Sequence, residues 1–126
     1  METTGIRLFD GLHDGLERAL DMRRSQHVLI SGNLANSETP GFRAREIPFS
    51  EVLGSEMRAA ERGETHEDGQ IIRELDPLPW ALDGNSVNPE REAVKLTENS
   101  LMYNALTSAV SKRMGLLRFA ASDGRG

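Results

Sequence analysis

Few residues in this chain have the types and spacing that chemistry requires. His13, His27 and His66 are the only histidines, and there is no cysteine. Glu64, His66, Glu67 and Asp68 crowd carboxylates around an imidazole, a donor set able to bind a divalent ion. They occupy the most hydrophilic stretch of the sequence, between Arg62 and Gly69, so they read as a solvated charge run rather than a preformed cage. Neither a His-x3-His pair nor a His-Glu-x-x-His arrangement occurs, which argues against zinc catalysis. His27 reads as a helix-face residue. Gly32 and Gly41 lack the spacing and the lysine of a phosphate-binding loop, and Ser31 and Ser111 lack the flanking elbow that exposes a nucleophile. The expectation is a protein with no catalytic residues, no metal and no cofactor.

Composition points to a protein that buries a stripe rather than a ball. Leu, Ile, Val and Phe together make up 29 of the 126 residues, a thin filling for one self-contained core. Long amphipathic helices, completed by other copies, suit that content better. The net charge of −5 is uneven: residues 1–35 carry −1, residues 36–88 carry −6 and residues 89–126 carry +2. An acidic centre argues against nucleic acid as a partner, because phosphate binding needs clustered Lys and Arg. No apolar run approaches membrane-spanning length, and Met1-Glu2-Thr3-Thr4-Gly5 lacks the basic start and apolar stretch of a cleavable secretory signal.

Two long helices are expected around an irregular middle. Phe9, Leu12, Leu16 and Leu20 step by three or four and mark a helix over 9–35. Arg23, Arg24 and His27 interrupt its stripe before Val28, Leu29, Ile30 and Leu34 restore it. The second helix should start at Pro89, capped by Asn88 and with Glu90 and Glu92 in its first turn, and run to about 121. Leu96, Tyr103, Val110 and Leu117 recur every seven residues, with Leu106 between them and Met102, Ala105, Ala109 and Leu116 widening the apolar face; Asn99 and Arg113 are polar interruptions able to select register. In the middle, 50–60 suits a short helix presenting Val52, Leu53 and Met57, and 71–75 a short strand that Pro77 and Pro79 stop. Trp80 and Leu82 then offer an apolar contact before the Asp83-Gly84-Asn85 turn. The fold class expected is mainly α, with the two long helices forming a coiled-coil-like antiparallel pair as one domain (1–42 with 89–126) and 43–88 a variable acidic middle segment.

The first helix closes abruptly in Ala35-Asn36-Ser37-Glu38-Thr39-Pro40-Gly41-Phe42. Asn36 tolerates the left-handed conformation that a helix exit often needs. Proline pushes Thr39 towards an extended backbone, and Pro40-Gly41 fits the centre of a type II turn, which delivers Phe42 at a fixed angle.

A helix ending in Ala35, Asn36, Thr39, Pro40, Gly41 and Phe42, followed by a variable middle and a heptad helix introduced by Asp83-Gly84-Asn85-Ser86-Val87, resembles the bacterial flagellar basal-body rod family. Tyr103-Asn104-Ala105-Leu106, Ser111-Lys112-Arg113-Met114 and Leu117-Arg118, together with the short middle, look most like the short, proximal members of that family. Ser86 stands where the family often has a second Asn, and Asn88 where Asp is frequent.

The resemblance implies a structural subunit of the proximal rod, without enzymatic activity. It further implies export through the flagellar type III apparatus without signal cleavage, and a periplasmic place in the basal body. Partners implied are other copies, other rod proteins, the inner-membrane ring with its rod-base adaptor protein, and the export apparatus; nucleic acid and direct membrane insertion are not. Leu96, Tyr103, Leu106, Val110 and Leu117 are expected to pack against Leu12, Leu16, Leu20, Ile30 and Leu34, within and between subunits, in a helical tube that carries torque around the export channel. The alternative, a soluble helical-hairpin adaptor or export chaperone, is allowed by length and acidity but has no need of the Thr-Pro-Gly-Phe turn.

Overall fold

The computed structural model of the chain describes residues 2–64 and 71–123. Its elements are α1 (Glu2–Ala35), β1 (Arg45–Glu46), α2 (Phe49–Glu61), β2 (Arg73–Glu74) and α3 (Pro89–Asp123). The chain is mainly helical, and both long helices end or begin where their caps and turns predict. α1 starts at Glu2 rather than at Phe9, since no proline interrupts the sequence between them. The Phe9 and Asp10 side chains, the metal-binding candidates His66, Glu67 and Asp68, and Gly124 to Gly126 lie outside the described residues.

The chain divides into two compact units, Gln26–Leu96 and the pair of outer segments up to Ser25 and from Thr97. The first unit holds most of the buried apolar side chains: Ile30, Ala44, Ile47, Val52, Ala59 and Val87. α2 starts on Pro48, whose carbonyl accepts from the backbone N–H groups of Glu51 and Val52. It buries Val52 and Ala59, two turns apart on one face, but leaves Leu53 exposed, contrary to expectation; the Met57 side chain lies outside the described set. β1 and β2 pair antiparallel, Arg45 opposite Glu74 and Glu46 opposite Arg73, so opposite charges face each other across the ladder. The strand stops short of Ile71 and Ile72, which are exposed.

In the second unit, Met22 and Asn99 are the buried side chains among those described, while Leu101, Met102, Leu116, Leu117 and Phe119 are all exposed. α3 is therefore apolar on more than one side. Tyr103, Leu106 and Val110 are its half-buried seam, and Leu101, Ala105, Leu116 and Phe119 lie on another face.

Candidate assembly site

The turn after α1 is built by side chains acting on backbone. The Asn36 N–H donates to the carbonyls of Gly32 and Asn33, continuing the helix ladder by one residue. Its side-chain Nδ2 donates to the same Gly32 carbonyl at 2.8 Å, and its Oδ1 accepts from Thr39 Oγ1 at 3.2 Å. No described residue other than glycine has a positive φ. Asn36 thus ends the helix by hydrogen bonding rather than by a left-handed exit, which corrects the expected mechanism but not the position. Thr39 to Phe42 form the expected type II turn: the Phe42 N–H reaches the Thr39 carbonyl at 3.2 Å, and Gly41 supplies φ 72°.

A second segment, 83–87, clamps this turn. Asn85 is buried, and its amide nitrogen contacts the carbonyls of Asn36 and Ser37 at 3.1 Å each and Thr39 at 2.7 Å. An amide carries two protons, so one of them is shared between two acceptors. Its Oδ1 accepts from the Val87 N–H at 2.6 Å. The Gly41 N–H donates to Asp83 O at 2.8 Å, the Ser86 N–H to Phe42 O at 3.0 Å, and Ser86 Oγ accepts from the Ala44 N–H at 2.6 Å. Gly84, at φ 75°, lies so close that a Cβ there would stand 3.9 Å from the Gly41 Cα. Asn88 caps α3 as expected, its Oδ1 accepting from the Arg91 N–H at 3.2 Å.

Beneath the clamp lies a polar layer. Asn33, 2% exposed, imitates a strand: its Nδ2 donates to Arg45 O and its Oδ1 accepts from the Arg45 N–H, both at 2.9 Å. The same Nδ2 donates to Glu92 Oε2 at 3.1 Å. Gln26 Oε1 accepts from the Ile47 N–H at 2.8 Å. Lys95 Nζ bridges Glu92 at 3.3 Å and Glu46 at 3.2 Å, and Arg73 bridges Glu46 at 2.6 Å and Glu51 at 2.8 Å. Burial on its own raises the pKa of the Glu46 carboxyl; hydrogen bonds and charge from Arg73 and Lys95 outweigh it and hold the group below its ordinary value. In the other unit, Asn99 Nδ2 donates to Arg23 O at 2.8 Å, and the Arg23 guanidinium reaches Asn99 Oδ1 at 3.4 Å. Partial burial lowers the pKa of Arg23.

Of the residues expected at the assembly interface, Ile30 is buried and Leu16, Leu20, Leu34, Leu96, Tyr103, Leu106 and Val110 are half-buried. Leu12 and Leu117 are exposed. Val28, expected to restore the stripe, is 66% exposed; the buried line of α1 runs instead through Met22, Gln26, Ile30 and Asn33. In the signature turn, Asn36 and Phe42 are half-buried, whereas Ala35, Thr39, Pro40 and Gly41 are exposed. Glu64 is exposed and pairs with Arg62 at 3.5 Å. Trp80 and Leu82, expected to offer an apolar contact, are exposed.

No family model matches the chain. Individual proteins do. The flagellar basal body rod protein FlgB of Yersinia ruckeri is 33% identical over 111 residues, spanning 75% of this chain and 81% of that protein. FlgB of Cereibacter sphaeroides is 30% identical over 127 residues, spanning 93% of this chain and 96% of its own length. The chain belongs to the FlgB family of flagellar basal body rod proteins. FlgB of Bacillus subtilis is 25% identical over 130 residues and matches along 95% of this chain, so the likeness to the FlgB family reaches both helices and the middle. No helix among the described residues is long and apolar enough to cross a membrane.

What the sequence pattern missed in this FlgB-family chain is polar. Gln26, Asn33, Asn85, Ser86 and Glu92 line the larger unit, yet hydrophobic periodicity scores each as a surface residue; Asn99, read as a polar interruption of the seam, is buried in the smaller. A signal was available: Gln26 and Asn33 are seven apart, as are Glu92 and Asn99, so polar residues repeat at seam spacing on both helices.

Proposed function

We propose that the chain is a structural, non-enzymatic subunit of the proximal flagellar rod, which joins other copies and other rod proteins through its terminal helices in a helical tube. The observation that carries this is the second apolar face of α3, where Leu101 is 65%, Leu116 69% and Phe119 67% exposed in a chain with little apolar content to spare. Exposed apolar faces of this kind mark sites of association. Family membership sets which assembly that is. In this reading α1 and α3 form an antiparallel, coiled-coil-like pair, supported inside each unit by a contact between them: Asn33 with Glu92 in one, Arg23 with Asn99 in the other. Packed helices stiffened by hydrogen-bonded turns suit torque transmission, and a head-to-tail interface that does not close generates a tube around a channel. In this reading the subunit leaves by the flagellar type III export apparatus without signal cleavage, sits in the periplasmic part of the basal body, and meets the inner-membrane ring and its rod-base adaptor.

Labelling purified hook-basal bodies with an antibody to this chain, viewed by electron microscopy, tests the assignment: label on the rod is expected. Exclusion from basal bodies, with copurification in a fixed small stoichiometry with an exported protein, would instead make the chain an export chaperone. Phe42→Ala should leave export intact and impair incorporation.

A further inference from the structure

Trp80 and Leu82 are displayed on a hydrogen-bonded loop. Trp80, the only tryptophan, is 70% exposed, and Leu82 is fully exposed. Their loop is nonetheless stiff. The Ala81 N–H donates to Leu78 O at 3.0 Å, the Gly84 N–H to Ala81 O at 3.3 Å, and the Leu78 N–H to Asn85 O at 3.4 Å, while Pro77 and Pro79 restrict the backbone between them. The loop is thereby fastened to the clamp residue Asn85. A large aromatic held outwards on a rigid support loses little freedom on binding, the usual character of an interface anchor. Two carboxylates flank it: Asp83, and Asp76, which pairs with Arg43 at 3.1 Å yet keeps its side chain 98% exposed.

The same chain also carries a surface of complementary character. Towards the end of α3, Lys112, Leu116 and Phe119 share one face at spacings of four and three, all exposed, in a segment of net positive charge. We infer that the Trp80–Leu82 loop of one subunit docks on the Lys112–Leu116–Phe119 face of a second copy, aromatic and leucine side chains packing together while Asp76 meets Lys112. The two surfaces differ, so the contact is head-to-tail and can propagate without closing. Opposite charge steers the pairing and disfavours loop-to-loop or helix-to-helix association of like surfaces. The inference rests on the rod reading and names the contact by which copies follow one another within it.

The absence of native cysteine makes the test direct. One version of the chain carries Ala81→Cys and another Ala120→Cys, which leaves Trp80 and Phe119 in place; both are expressed together, and purified hook-basal bodies are mildly oxidised. A disulfide-linked pair is expected only when both versions are present. Adding Lys112→Glu to the Ala120→Cys version should lower the linked fraction about tenfold, the scale of a lost anchor contact, and adding Asp76→Lys to the Ala81→Cys version should restore it. No linked pair while both versions are in the rod would overturn the inference. So would linkage of Ala81→Cys to itself, indifference to Lys112→Glu, or equal linkage from a Leu53→Cys control. Absence of the unmodified chain from basal bodies would remove the rod reading itself, and the inference with it.

Discussion

Asn85 donates its side-chain amide to the carbonyl of Thr39 at 2.7 Å, joining residues 46 positions apart. Through that amide and its neighbours, the segment that starts α3 grips the turn that ends α1. Removing the side chain leaves the buried Val87 N–H and the half-buried Ser37 carbonyl without this partner and takes a second donor from the carbonyls of Asn36 and Thr39, and a buried unsatisfied group costs more than the lost bond contributed. Asn85→Ala should therefore destabilise the chain by about 2–3 kcal/mol. Asn85→Asp should be no better, since a carboxylate cannot donate to three carbonyls. Urea denaturation checks both: a lower midpoint with an unchanged slope is expected.

Glycines in this chain divide by conformation. Gly41 and Gly84 have φ 72° and 75°, so Gly41→Ala and Gly84→Ala should each cost about 1–2 kcal/mol from backbone strain alone. Gly15 and Gly32 sit inside α1 with nothing within 4 Å of an added Cβ. Gly15→Ala should stabilise the chain by about 1 kcal/mol, through helix propensity and a less free unfolded chain. Thermal melts of the three variants should move in opposite directions.

Acid should weaken the larger unit through Glu46. Its folded pKa lies below the ordinary 4.5 because of Arg73 and Lys95, so the folded state binds fewer protons than the unfolded chain in that range. The stability it contributes is present above the unfolded value and is lost as pH falls through the folded one. Urea midpoints measured at successively lower pH should drop across this window, and Glu46→Gln should flatten the drop while lowering the neutral-pH midpoint.

Asn99 places a polar side chain in the α3 seam, where it bonds to the Arg23 carbonyl. Buried polar groups at seam positions select register at some expense of stability. Asn99→Leu should keep or raise the melting temperature yet loosen pairing, read as broader amide resonances for residues around Arg23 and Tyr103.

Hydrogen exchange of the dilute chain should separate the two units. Gln26–Leu96 encloses most buried side chains and the polar layer, so its amides should be the slowest. α3 beyond Leu101 exposes its large apolar residues and should exchange fastest among the helical segments, gaining protection on assembly.

The long helices, the end of α1, the start of α3, the type II turn and the cap at Asn88 were legible in the sequence because each depends on local rules: period, proline and glycine geometry, and side chains that bond a few residues away. Periodicity alone misplaced Val28 and Leu53. Each is apolar and helical, but which face of a helix is covered depends on what lies across from it. The polar core was illegible for the same reason. Asn33, Asn85 and Glu92 are buried because backbone groups and side-chain amides from distant positions meet them, and pairing over such separations is created only when the chain closes on itself. Local sequence thus determined which helices form and where α1 ends and α3 begins, while long-range folding determined which polar side chains became the interior, since a buried amide is tolerated only when its partners arrive with it.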